Sequence, residues 1–398
     1  MADVRPFRAV RPRDSLAGQV IAPPYDVLSD DAARGLAENR SCFVRVTRSE
    51  VDLPVGTDAH GAEAYAKARE NLDLFRDQGL LQQDAAPTYY FYGQQMGEHR
   101  QVGVLAGASV AEYDRGLIAK HEYTRPDKED DRTHHMEVLD AQVGLVFLTF
   151  RPTDALKRLT AEITSGTPAW SVTTEDGVIH TLWPAPAERV DEIRAAFDAV
   201  DRLYIADGHH RSAAASRVHA ARGSERSAHF LAGLYPADNL LVMAYNRVLD
   251  DLHGHTAESF LDAVSERFEI LDEGCDTPTA RGRFSMYLAG QWRTLVPRDV
   301  PTDDPVGRLD ASVLQDQLLA PILGITDPRR STRIRFVGGI HGAEALKQAV
   351  DAGAAVAFHL FPTGLDQLFD VADAGEVMPP KSTWFEPKLR EGVAIRLL

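Results

Sequence analysis

A chain of 398 residues, 44% hydrophobic and 26% charged, reads as an ordinary globular protein with apolar material for two domains or three subdomains. Fifty-nine acidic side chains oppose 43 basic ones, and the formal charge of −16 weighs against nucleic acid or an anionic membrane as a partner. No apolar stretch reaches the roughly eighteen residues a bilayer demands, the N-terminal M-A-D-V-R-P-F-R lacks the apolar core of a secretory signal, and Cys42 and Cys275 fit neither a disulfide framework nor a thiolate metal site, so the expected compartment is the cytoplasm.

In chain order, the pattern predicts a short strand near Val20 and Ile21, a turn over Pro23-Pro24-Tyr25-Asp26, and helices over 30–38 and 63–77. Thr57 or Asp58 is the expected cap of the second helix and Gly79 its stop. Residues 89–94 and 102–113 read as an aromatic and β-branched hairpin turning over Met96-Gly97-Glu98. The stretch 120–132 is dense with charge, 142–151 is an apolar strand, and 170–183 is a second hairpin with Asp176-Gly177 in its turn. A helix over 188–200 precedes a buried strand at 203–206, an alanine-rich helix from Ser212, and a strand over 240–248. A helix over 257–268, a hairpin over 283–295 and a helix over 311–323 follow, with the proline-rich 297–305 as the most linker-like stretch. The end alternates strand and helix over 333–337, 343–352, 354–361, 365–372 and 393–397. The class is mixed α/β (α+β), without internal repeats.

The segment L-Y-I-A-D-G-H-H-R at 203–211 concentrates the chemistry. A strand that enters a glycine turn and opens directly into a helix leaves backbone N–H groups unpaired at one spot, which favours an anion. Gly208 permits close approach, Arg211 supplies a bidentate fork, and His209 and His210 add donors, while Asp207 caps the helix, orients an imidazole or holds a metal. Cations in a first helical turn oppose the macrodipole unless an anion compensates. No Walker loop and no G-x-G-x-x-G occurs.

Other polar groups are candidates beside it. Lys120, His121 and Arg125 can line phosphate oxygens, and Glu122 is the first candidate base for a hydroxyl acceptor, with Asp130 and Asp131 as lesser Mg²⁺ candidates; a solvated charge run is the alternative. Asp26, presented by two prolines, is the second candidate base. Lys381, Ser382 and Thr383 follow another pair of prolines and suit a phosphate or carboxylate. The glycines of Gly338-Gly339-Ile340-His341-Gly342 offer a second anion-binding turn, and His134-His135 reads as an exposed helix start.

The D-G-H-H-R turn resembles a signature of ParB-like and sulfiredoxin-like domains. Through V-I-A-P-P-Y-D-V-L-S, K-H-E-Y-T-R-P-D-K-E-D-D-R, Y-I-A-D-G-H-H-R and M-P-P-K-S-T-W-F-E-P-K-L, the chain looks like a member of the domain-of-unknown-function 1015 family. The resemblance implies a ParB/sulfiredoxin-like strand-turn-helix core with further mixed α/β subdomains: an N-terminal subdomain at 1–115, the phosphate-binding region at 116–250 and a C-terminal subdomain at 251–398. The similarity of the turn to free-serine kinases implies ATP or ADP and Mg²⁺ as cofactors and a phosphotransferase acting on a small hydroxyl-bearing substrate, free L-serine being the acceptor it suggests. Ser212 stands where relatives often carry an aromatic residue. Two alternatives remain, a nucleotide-binding ParB-like regulatory module and a metal-dependent hydrolase using Asp207, His209 and His210. Which metal the protein binds directly, if any, and whether it forms a homo-oligomer stay open.

Overall fold

In the computed structural model, which describes residues 2–271 and 274–398, the aromatic hairpin is the frame of the first sheet. Tyr90–Met96 and His99–Ser109 pair antiparallel around Gly97, whose φ of 59° closes the turn. Nine strands join this sheet. From one edge the order is Ile118–Ala119, Leu203–Asp207, Val146–Phe150, His229–Pro236, His99–Ser109, Tyr90–Met96, Ile179–Pro184 and Trp170–Thr173, and Val4–Arg5 also pairs with His99–Ser109. The pairs 118–119 with 203–207 and 146–150 with 229–236 are parallel, and the others are antiparallel.

The central strand His229–Pro236 escapes the sequence reading. Phe230 to Tyr235 are all buried, so the segment shows a continuous apolar run instead of an alternating one. Helices Asp154–Thr164, Val190–Asp198 and His209–Arg222 cover this sheet with Leu156, Leu159, Ile193, Phe197, Ala214 and Val218. A second core gathers Val20, Phe43, Leu72, Phe75, Leu139 and Ile395.

Several local expectations change. Ala17–Val20 is a helical turn instead of a strand, and Gly61, not Thr57 or Asp58, is the N-cap of helix Ala62–Asp77. Residues 110–114 leave the hairpin as a short helix. The charge-dense run is not a solvated loop: Pro126 occupies the first position of helix Pro126–Leu139, and Asp131, His135, Met136 and Leu139 form its buried face. His135 is therefore interior, with Nε2 on the carbonyl of Val46 at 3.2 Å.

The chain divides into two compact units, Met1–Leu240 with Pro387–Leu398, and Leu241–Glu386. At the C-terminus Arg396–Leu397 pairs antiparallel with Ala141–Gln142 inside the first unit. The second unit holds a six-stranded antiparallel sheet in the order Phe268–Leu271, Gln291–Pro297, Phe284–Leu288, Val356–His359, Tyr245–Leu249, Ile334–Gly338. The helix expected at 311–323 is α-helical over Asp310–Leu314 and widens to a π-helix over Gln315–Leu319. The class is mixed α/β throughout. Among the described residues, no helix is long and apolar enough to cross a membrane.

Candidate functional site

Strand Leu203–Asp207 ends in a register shift against Val146–Phe150 between Ile205 and Asp207, a bulge that leaves Ala206 unpaired and sets Asp207 opposite Phe147. Gly208 then adopts φ 94° and ψ 28°, and helix His209–Arg222 starts at the next residue. A Cβ at position 208 would stand 3.3 Å from the Cα of Val146, so both conformation and space require glycine. The carbonyl of Gly208 accepts from the amides of Arg211 and Ser212 at 3.0 and 3.1 Å. The amides of His209 and His210 precede the first intrahelical bond and are directed out of the helix end.

The Asp207 carboxylate lies 3.5 Å from Lys388 Nζ. Burial opposes its charge, but Lys388, and then Arg211, hold the carboxyl down at about 2. Asp207 is ionised at any physiological pH.

The expected convergence of imidazoles and guanidinium on one point is not what the structure holds. The parallel pairing of 118–119 with 203–204 carries the chain on to His121 beside the end of that strand, where its ring meets His209 edge-on at a centroid distance of 4.6 Å. Burial drives His121 to about 4 and His209 well below its ordinary value, so both rings are neutral. His121 Nδ1 and His209 Nε2 are buried without hydrogen-bond partners. His210 accepts the backbone N–H of Arg125 at Nε2, 3.1 Å, and burial lowers it too. Arg211, two residues along the helix from His209, projects to another side. Its Nη1 donates to the Leu145 carbonyl at 2.5 Å, Nη2 lies 3.9 Å from Asp26, and the guanidinium sits 5.6 Å from the Tyr25 ring centroid. Burial opposes the charge of Arg211, yet Asp26, Tyr25 and Glu391 make the guanidinium hold its proton more tightly than usual.

Of the other candidates, Asp26 is thus brought to Arg211, and His121 to His209. Glu122 is half-buried on the loop that follows His121. Lys120 places Nζ 3.6 Å from the Tyr113 ring centroid, and burial lowers it. Arg125 is engaged at the surface by Asp127 at 2.8 Å. Asp130 pairs with Arg217 at 2.7 Å, and Asp131 accepts from Tyr65 and His60 at 2.7 and 2.8 Å beside Arg132. Among the described residues, no three His, Cys, Asp or Glu side chains are grouped to hold a metal, and Asp207, His209 and His210 do not form a donor set.

Lys381, Ser382 and Thr383 belong to the second unit. There the Ser382 hydroxyl donates to the Pro379 carbonyl at 2.7 Å, the Lys381 carbonyl accepts from Arg247 at 3.1 Å, and Lys381 has φ 58°. The Ser382 hydroxyl holds its own turn instead of offering itself to a ligand. Gly339 packs against the backbone of Ala244, so close packing accounts for that glycine of the expected second anion turn.

Sequence reasoning missed Lys388, Arg132, Gly144 and Glu391. Lys388 stands in the quoted F-E-P-K-L run, but nothing local marks it as the partner of a carboxylate some 180 positions earlier. Glu391 lines a small pocket of about 30 Å³ with Tyr25, Arg132, Gly144 and Arg211. Burial pushes its carboxyl up to about 7 against the pull of Arg211.

No curated protein matches the sequence. Among solved structures, a mutant free serine kinase in complex with ADP aligns at 12% identity and a TM-score of 0.36, covering 71% of this chain and 87% of that one. The C-terminally truncated SbnI from Staphylococcus aureus aligns at 12% and 0.41, covering 74% and 87%, and a conserved hypothetical protein from Pyrococcus furiosus at 13% and 0.36, covering 74% and 95%. Likeness at this level carries no argument about activity. The model of the protein family of unknown function DUF1015 matches residues 4–312, well over half of the chain, and the chain belongs to that family.

Proposed function

We propose that the protein is a kinase for a small molecule, placing nucleotide phosphates at the Gly208 corner and transferring a phosphoryl group to a hydroxyl. The observation that carries this reading is the corner itself: a glycine held at φ 94° opens a helix N-terminus flanked by Arg211 and by Lys388, the ammonium 3.5 Å from Asp207. Phosphoryl transfer demands little covalent chemistry from a protein; it demands positioning and compensation of charge. Two helix amides, one guanidinium and one ammonium supply that compensation, and the neutral His209 and His121 contribute shape and hydrogen bonding, not charge.

ATP or ADP is the donor in this reading. Mg²⁺ bound to phosphates needs only one or two protein carboxylates, and Asp207 and Asp26 are the two at the corner; the ion would neutralise phosphate charge there. The acceptor is a small hydroxyl compound, with L-serine the first to test.

A second reading, nucleotide binding without turnover, draws on the neutral imidazoles, since a sensor needs fewer cations than a transferase. Thermal-shift titration with ATP, ADP, CTP and pyrophosphate in Mg²⁺ names the donor, and phosphorus NMR with ATP and L-serine separates the two readings. A protein that none of these anions stabilises sinks both.

A further inference from the structure

On the side of the helix away from His121, Arg211 forms one wall of the pocket completed by Tyr25, Arg132, His135, Gly144 and Glu391. The walls are fixed to one another. Ala22 and Glu391 exchange both backbone hydrogen bonds, at 3.0 and 2.9 Å, so the segment that carries Tyr25 and Asp26 and the segment that carries Glu391 enter as one piece. The Arg132 guanidinium lies 4.2 Å from the Tyr25 ring centroid, with Arg211 at 5.6 Å from it. At Gly144 a Cβ would meet Arg211 Nε at 3.2 Å and Glu391 Oε1 at 3.5 Å, so the missing side chain is what keeps this space open.

Glu391 is 3% exposed; its Oε2 is buried with no hydrogen bond of ordinary length, and the Thr47 hydroxyl is the donor beside it. Buried acceptors in native proteins are nearly always satisfied, and a hydroxyl brought into the pocket would satisfy this one. Asp26 is not enclosed in this way: its carboxylate lies 3.9 Å from Arg211 and is 47% exposed. Arg211 is common to both spaces: it touches the Gly208 turn on one side and Glu391 on the other.

We propose that this pocket is the acceptor subsite for the kinase reading, on which it rests, that it takes the hydroxyl-bearing end of a small hydroxy acid whose remainder stays outside the cavity, and that Glu391 Oε2 receives the proton of the acceptor hydroxyl. The hydroxyl O–H bond breaks, with its proton passing to Glu391. The freed oxygen bonds to the terminal phosphorus of the nucleoside triphosphate, the P–O bond to the leaving group breaks, and its electron pair stays on the departing nucleoside diphosphate. The proton then passes from Glu391 to solvent. The charged and titratable groups that face Glu391 are Arg211, Arg132, Asp26, Tyr25 and His135. The two guanidiniums favour an acceptor that carries its own carboxylate. Burial holds the Glu391 carboxyl near 7, where a base both takes and releases a proton at neutral pH.

The test compares full-length protein with Glu391→Gln for ADP affinity by calorimetry and for transfer from ATP to L-serine, D-glycerate and glycerol between pH 5 and 9. E391Q should bind ADP within about twofold of the parent, transfer about 100-fold more slowly, and lose the acid limb of the rate profile. Gly144→Ala, which crowds the pocket and presses on Arg211 Nε, should raise KM for the hydroxy acid about tenfold, more than it weakens ADP binding. An E391Q that transfers at the parental rate, an acid limb that survives the substitution, or preference for glycerol over both acids overturns the proposal. ADP binding by the parent with no transfer to any of the three also overturns it, leaving a nucleotide-binding protein. Absence of ADP binding by the parent sinks the phosphate corner itself.

Discussion

Replacing Glu391 by glutamine should change stability with a pH dependence set by its environment. An unfolded glutamate releases its proton near 4.5, whereas burial in the pocket holds it in the folded chain to about 7. A folded state that keeps a proton the unfolded state has lost is stabilised below the lower of these values, and the stabilisation is lost as pH rises through the upper one. The interval of 2.5 pH units between them corresponds to about 3 kcal/mol. Glutamine has no proton to lose, so E391Q should gain on the parent by about 3 kcal/mol between pH 5 and pH 8. For a unit of this size that is an increase of roughly 6 to 12 °C in the difference between their melting temperatures. Differential scanning calorimetry of both proteins across that range reads the difference directly. A difference that stays constant would show that Glu391 is ionised throughout, held by Arg211, and the argument from burial would be wrong.

Arg211→Ala should weaken ADP binding about 100-fold by calorimetry, because the guanidinium is the permanent charge in the first turn of the helix, and a parental affinity would remove Arg211 from the site. Gly208→Ala forces a side chain into left-handed backbone 3.3 Å from Val146, so it should cost about 1–2 kcal/mol in urea melts and abolish the thermal shift given by pyrophosphate. His121 takes up its proton only near 4 when folded but near 6.5 when unfolded, so its contribution, about 3 kcal/mol, should drain away as pH falls from 6.5 to 4, and His121→Asn should flatten that part of the melting curve. Lys388→Ala removes the first cation beside Asp207, and carbon NMR should find the carboxyl titrating above its present value of about 2.

Much of the architecture follows from local pattern. The 90–109 hairpin, the Asp176-Gly177 turn and helices such as Ala62–Asp77 rest on alternation, turn residues and helical periodicity, all of which act over a few residues. The strand-glycine-helix corner at 203–212 is legible for the same reason: apolar run, glycine and alanine-rich run each encode their own conformation. Strand His229–Pro236 is not, since burial on all sides removes the alternation that marks a strand.

What the sequence determined by itself is where a glycine turns a strand directly into a helix and leaves backbone amides at its start. What tertiary structure alone decided is which of the surrounding ionisable groups are charged. The sequence leaves the charge of His209 and His210 open, and burial favours the neutral form of both and of His121, while Lys388 and Glu391 come to this region from the far end of the chain. Charge state depends on desolvation and on neighbours within a few ångströms, and both are properties of packing between distant segments that no local pattern carries.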